Sequence, residues 1–243
     1  MISPRGCGAG DPPPPVPRPK PPVVAASELL SRPPFSKPYT NFLYSCRNFI
    51  LLGWIVEHCS GMRLDELCQQ HFFKPLSMHD TGFGPLHNPP PRTVPTNQPA
   101  GVISDEQARN LHFPVGNAGL FSTAGDLGRF SRALLQACHA GGNHLFGQAA
   151  LKWLTRPISP PAGPRRSFGW DMRQRSEAPH RPAACSKESF GHSGWTGQSL
   201  WLDPRHDRYL VILTNRTALR ANYDTHKPQM HFRGAVADLL WER

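Results

Sequence analysis

The chain has 243 residues, 27 of them basic and 17 acidic, with a net charge of +10 and 38% hydrophobic content. It is long enough to bury a real core and too apolar for wholesale disorder. No apolar run approaches the ~20 residues of a membrane span, and neither a Gly-x-y period nor a sustained heptad is present, which excludes transmembrane, collagen-like and coiled-coil classes.

Twelve of the 28 prolines fall within residues 1–38. The run Asp11-Pro-Pro-Pro-Pro-Val-Pro-Arg-Pro-Lys-Pro-Pro22 supports neither helix nor central strand. Residues 1–38 are therefore expected to form a disordered or polyproline II head, a spacer or SH3-type ligand, with 39–243 as the folded domain. Arg47 to His58 is apolar nearly all round and predicts a buried helix ending at Ser60-Gly61. A second helix, Leu64 to Phe73, is stopped by Pro75. Residues 80–122, rich in Pro, Gly and Asn, are expected to be irregular. Thr123 to Leu135 predicts an amphipathic helix with Leu127, Phe130, Leu134 and Leu135 on one face, capped by Ser122 or Thr123. A short helix is expected over 147–155. The pattern then changes to strands at 167–171, 190–194, 198–203 and 209–214, with Pro204-Arg-His-Asp-Arg208 as a hairpin connection. A closing helix is expected over 231–241. Helices, then a meander of antiparallel strands, then a helix make an α+β pattern.

The arginines are scattered, with Arg165-Arg166 the tightest cluster, and no nucleic-acid motif accompanies them, so the charge reads as a solvated basic surface with no nucleic-acid partner. The cysteines Cys7, Cys46, Cys59, Cys68, Cys138 and Cys185 show no C-x-x-C and no zinc spacing with His. They are expected to be free, buried thiols, and no metal or other cofactor is expected. The first residues lack the apolar core of a signal peptide, so the chain as written would stay in the cytosol.

Three segments carry candidate chemistry, though each has an ordinary structural explanation when taken singly. Tyr44-Ser45-Cys46 places an aromatic hydroxyl before the first helix. Gly116-Asn117 opens a Gly-rich approach to the helix at 123, whose backbone N–H groups suit an anion. His192-Ser193-Gly194 begins a strand edge, where Gly194 permits close approach by a ligand.

Their order is informative. Phe42 to Gly61, with Tyr44-Ser45-Cys46 before an apolar helix ending in Ser-Gly, resembles the middle of the serine β-lactamase-like family, which includes class C β-lactamases, low-molecular-weight penicillin-binding proteins and related esterases. Phe73-Lys-Pro-Leu-Ser-Met-His-Asp-Thr-Gly-Phe83 looks like its PLGM-x-x-T-x-F turn. Gly116 to Thr123 looks like its GHAGLFST region. Phe190-Gly-His-Ser-Gly-Trp-Thr-Gly, followed by Leu213-Thr-Asn-Arg216, resembles its third motif and hairpin.

The resemblance covers about 40–240 and implies an acyl-serine mechanism, in which a Ser of Ser-x-x-Lys attacks a carbonyl. It implies that Tyr44 shuttles the proton, its phenol lowered by the motif lysine. His192 would contribute charge or hydrogen bonding, Ser193 and Gly194 would run along a small-molecule or peptide-like substrate, and a backbone N–H near Trp195 or Thr196 would complete half of an oxyanion hole. Two departures stand out. Cys46 takes the place of the family's Asn or Asp, and no Ser in the 243 residues is followed three positions later by Lys. The family's N-terminal strands and nucleophile helix are therefore expected to be missing, giving a partial fold. Two readings follow: a fragment of a β-lactamase-related serine hydrolase, inactive as given, or a non-catalytic pseudo-enzyme or interaction module with a peptide-like groove. An extracytoplasmic location follows only if a segment preceding Met1 is missing. Tyr209 to Thr214, with no internal charge, is expected to lose its neighbour strands and to invite self-association through the exposed sheet edge.

Overall fold

A computed structural model describes residues 31, 33–159, 163–172, 182–218 and 226–242. The proline-rich head expected over 1–38, and Cys7 within it, lie almost wholly outside the described residues. The elements below all belong to the unit Pro34–Arg243.

Helix α1 spans Cys46–Ser60 and ends at Gly61 in the left-handed region, φ 71°, where glycine carries no Cβ penalty. Only Ile50 and Gly53 of this helix are buried, while Ile55 and Val56 are exposed. The expectation of a helix buried all round is corrected: neighbours among the described residues cover one side only. Glu57 of α1 accepts from the backbone N–H of Leu64 at 2.8 Å, which starts α2, Leu64–Cys68. That helix widens into a π-helical turn, Gln69–Phe73, before Pro75. The stretch expected to be irregular contains short elements: β1 (Gly82–Phe83) pairs antiparallel with β2 (Leu120–Phe121), and α3 spans Glu106–Leu111.

Helix α4, Ala124–Ala140, is capped by Thr123, whose hydroxyl accepts from the Asp126 N–H at 3.2 Å. Asp126 is buried and also accepts from the Asp80 N–H and the Thr81 hydroxyl, both at 2.8 Å, so one carboxylate ties the 78–81 turn to the helix start. Helix α5 is Gln148–Thr155.

The sheet runs β3 (Asp171–Met172), β4 (Phe190–Ser193), β5 (Gln198–Asp203), β6 (Arg208–Leu213) in that order, all antiparallel. Only the end of the predicted strand 167–171 is extended; Ser167 instead donates to the Trp170 carbonyl around Gly169, φ 88°. One face, with Phe190 and Leu202, packs on Leu134 and Leu135 of α4. The other, with Trp201 and Leu210, packs on Ala237 and Trp241 of α6 (His226–Trp241). This alternation is the period-2 pattern of a sheet covered on both faces. β6 is the outer strand among the described residues, and none of its residues is fully buried. The expectation of buried thiols holds for Cys185 alone of the five described cysteines, since Cys59 is exposed and the others are half-buried; none of the five forms a disulfide.

Candidate active site

Ser45 is extended (φ −148°, ψ 124°), so the chain enters α1 abruptly and leaves the preceding Tyr44 projecting, with Cys46 as the first helical residue. The Tyr44 ring stacks on His192 of β4, with centroids 6.3 Å apart and planes 25° from parallel. A third group joins them. The Arg166 guanidinium carbon lies 5.4 Å from the Tyr44 ring centre and 5.3 Å from that of Phe42. Arg166 reaches this place because it bridges to Asp171, whose strand β3 pairs with β4 at Gly191, one residue from His192.

Arg166 Nη1 donates to His192 Nε2 at 3.5 Å, and His192 Nδ1 donates to the Ser193 carbonyl at 3.1 Å. A carbonyl only accepts, so the Nδ1–H tautomer is the one that fits both bonds. Burial raises the Tyr44 phenol above its ordinary value, Cys46 adds to this, and Arg166 opposes them without winning. Tyr44 is thus held as a neutral phenol, unlike the lowered one that the sequence resemblance implies.

A cavity of about 420 Å³ opens beside Tyr44, lined by Ser45, Cys46, Arg47, Asp105, Glu106 and Gln107. Asp105 caps α3 by accepting from the Ala108 N–H at 2.8 Å, and it accepts from Asn117 Nδ2 at 3.4 Å. Gly116 lies against α1, where an added Cβ would stand 2.4 Å from the Phe49 carbonyl oxygen. The Gly116-Asn117 segment therefore backs the Tyr44 helix and reaches the cavity through Asp105.

The turn 194–197 between β4 and β5 is held from behind through its carbonyls. Arg233 of α6 donates to Gly194 O at 2.8 Å and to Gly197 O at 3.1 Å. Arg216 donates through Nε to Trp195 O and through its backbone N–H to Thr196 O. In a trans peptide the C=O and the following N–H point to opposite sides. Anchoring the Gly194 and Trp195 carbonyls therefore turns the Trp195 and Thr196 N–H groups away from these arginines, and neither N–H has an acceptor among the described residues.

Tyr44 and His192 thus come together, Cys46 lies beside Tyr44 in the cavity lining, and Ser193, Gly194, Trp195 and Thr196 continue from His192. Sequence reasoning missed Arg166, Asp105, Arg216 and Arg233. Arg165-Arg166 was visible as a basic pair, but only strand register brings it to Tyr44.

A family model described as Beta-lactamase matches residues 7–233. A protein of Escherichia coli O157:H7 named "Putative D-alanyl-D-alanine carboxypeptidase" is 28% identical over 217 residues, covering 78% of this chain and 48% of its own length, so the chain spans about half the length of the curated relatives it matches. Among solved structures, a β-lactamase from Mycobacterium bovis superposes with TM-score 0.61 at 21% identity, over 85% of this chain and 66% of that one. A penicillin-binding protein homologue from Pyrococcus abyssi gives 0.59 at 18%, over 90% and 47%. These neighbours share the mixed helix and antiparallel-sheet architecture of the serine β-lactamase/transpeptidase fold. Family match, fold and the order of the Tyr44 and His192 segments agree, and the chain belongs to the β-lactamase family.

Proposed function

We propose that this chain carries the tyrosine and substrate-strand side of an acyl-serine hydrolase site for a small-molecule or peptide-like carbonyl substrate. The observation that supports it is the contact of Tyr44 with His192 beside a turn whose Trp195 and Thr196 N–H groups have no acceptor among the described residues. In this reading the substrate lies along His192, Ser193 and Gly194, its carbonyl oxygen takes the Trp195 or Thr196 N–H, and Tyr44 contacts the leaving group. The name carried by the curated relatives makes a D-alanyl-D-alanine peptide a suitable probe.

The 243 residues contain no Ser-x-x-Lys, so they are not expected to form an acyl-serine by themselves. The second reading is a non-catalytic module that keeps the groove, supported by Cys46 standing where the family has Asn or Asp. Fluorescent penicillin and a p-nitrophenyl ester test this on the full chain. No heat-stable label and no hydrolysis above background are expected, and Cys46→Ala is to give the same result. Stoichiometric label that survives denaturation would overturn this expectation, and its loss in Cys46→Ala would locate it on the thiol. Adding a family N-terminal segment that carries Ser-x-x-Lys separates the readings: recovered labelling supports the hydrolase, continued inertness the non-catalytic module.

A further inference from the structure

Arg216 and Arg233 are 9% and 3% exposed, yet no carboxylate stands within ion-pair reach of either guanidinium among the described residues. Both grip the same turn. Arg233 spends Nε on Gly197 O and Nη2 on Gly194 O, and its Nη1 has no acceptor there. Arg216 spends Nε on Trp195 O and lies over the Trp195 ring, 4.4 Å from its centre, leaving Nη1 and Nη2 without acceptors among the described residues. Gly197 O is already shared with the Thr214 hydroxyl and Gln229 Nε2. Burial and the neighbouring Arg216 charge lower Arg233 to about 10.

Carbonyls and an aromatic face satisfy some donors but do not neutralise charge, and buried charges in proteins are ordinarily paired. Two neighbouring guanidinium groups with terminal N–H groups to spare are complementary in charge and in donors to a small oxyanion. We propose that Arg216 and Arg233 form a binding site for a small oxyanion, a carboxylate or a phosphate, behind the 194–197 turn. The site lies on the opposite side of the turn's peptides from the Trp195 and Thr196 N–H groups, so it needs no nucleophile and stands apart from the hydrolase reading. Its occupant steadies the turn and, through it, the end of the substrate strand.

The test titrates the full chain with inorganic phosphate and, separately, acetate, at ionic strength held constant with chloride, following thermal denaturation and tryptophan emission. Saturable stabilisation by one of them, with a saturable emission change from Trp195 on Arg216, is expected, and which anion acts identifies the class. Arg216→Gln and Arg233→Gln are each expected to weaken that anion by about tenfold or more, the scale of one lost charge-assisted bond. Trp195→Phe is to abolish the emission change and keep the stabilisation. Isothermal titration of the unmodified chain covers the case in which the arginine variants fail to fold. No saturable binding of either anion there, or chloride acting equally well, would overturn the proposal.

Discussion

Tyr44 and His192 lie ring on ring, 6.3 Å between centres, although one precedes α1 and the other sits in the second strand of the sheet. Arg166 touches both, through the face of one and Nε2 of the other. The three therefore form one electrostatic unit, with a cation restraining the rise of a half-buried phenol.

Removing Arg166 should let Tyr44 rise further. Tyrosinate absorbance of the full chain, with a Tyr44→Phe chain subtracted to isolate this residue from the other three tyrosines, is expected to shift upward in Arg166→Ala and much less in Arg166→Lys. The sign for stability follows. A phenol raised in the fold leaves stability at its full value below about pH 10, and stability then falls as the unfolded chain ionises first. An unchanged titration in Arg166→Ala would place the guanidinium away from the ring.

Asp203 is the anchor of the far end of the sheet. It accepts from the Ser186 N–H and hydroxyl, from His206 Nδ1 and from Trp241 Nε1. Burial alone would raise its carboxyl, but these hydrogen bonds outweigh burial and hold it below its ordinary value. Its stabilisation is therefore present above about pH 3.8 and lost as pH falls through the lower folded value. Asp203→Asn should cost about 2–4 kcal/mol and flatten the acid limb of a melting-temperature profile. An acid limb identical to that of the unmodified chain would contradict this.

Gly197 holds φ 137°, and a Cβ there would stand 2.3 Å from the Thr214 carbonyl oxygen and 2.7 Å from Gln229 Nε2. Gly197→Ala should cost about 1–3 kcal/mol in denaturant titration and displace the turn, whereas Gly147→Ala, with open space around it, should cost far less. Equal costs would show that the turn tolerates a side chain.

The helices were legible because their apolar spacing, caps and stops are local: Thr123 before α4, Gly61 after α1, Pro75 after the π-helical turn. Tyr44 and His192 were legible because each lies in a short recognisable segment. What failed was what depends on distant neighbours. Phe168 and Trp170 have strand-forming side chains, but Gly169 folds their segment into a turn. The apolar run of α1 gives no sign of which faces are covered. Arg166 stands out only as half of a basic pair, Arg216 only as the end of a hairpin segment and Arg233 not at all, until the fold brings the first to Tyr44 and the other two to the 194–197 turn.

The outer strand β6 supplies a further expectation. Its sequence between Arg208 and Leu213 carries no charge, and Leu213 is exposed. We expect the full chain to self-associate through this edge, with sedimentation showing concentration-dependent growth and Val211→Lys or Ile212→Lys reducing it. A monodisperse, cooperatively melting chain would mean that the edge is covered.

The most direct test of the Tyr44–His192 site is reversible ligand contact. Saturation-transfer NMR on the full chain, with benzylpenicillin and a blocked D-alanyl-D-alanine peptide, is expected to show fast, reversible binding of at least one of them. His192→Ala should weaken it about fivefold or more, and Tyr44→Ala, on the partner ring, should weaken it similarly. Binding unaffected by both substitutions, or no binding of either probe, would contradict a substrate site at Tyr44 and His192.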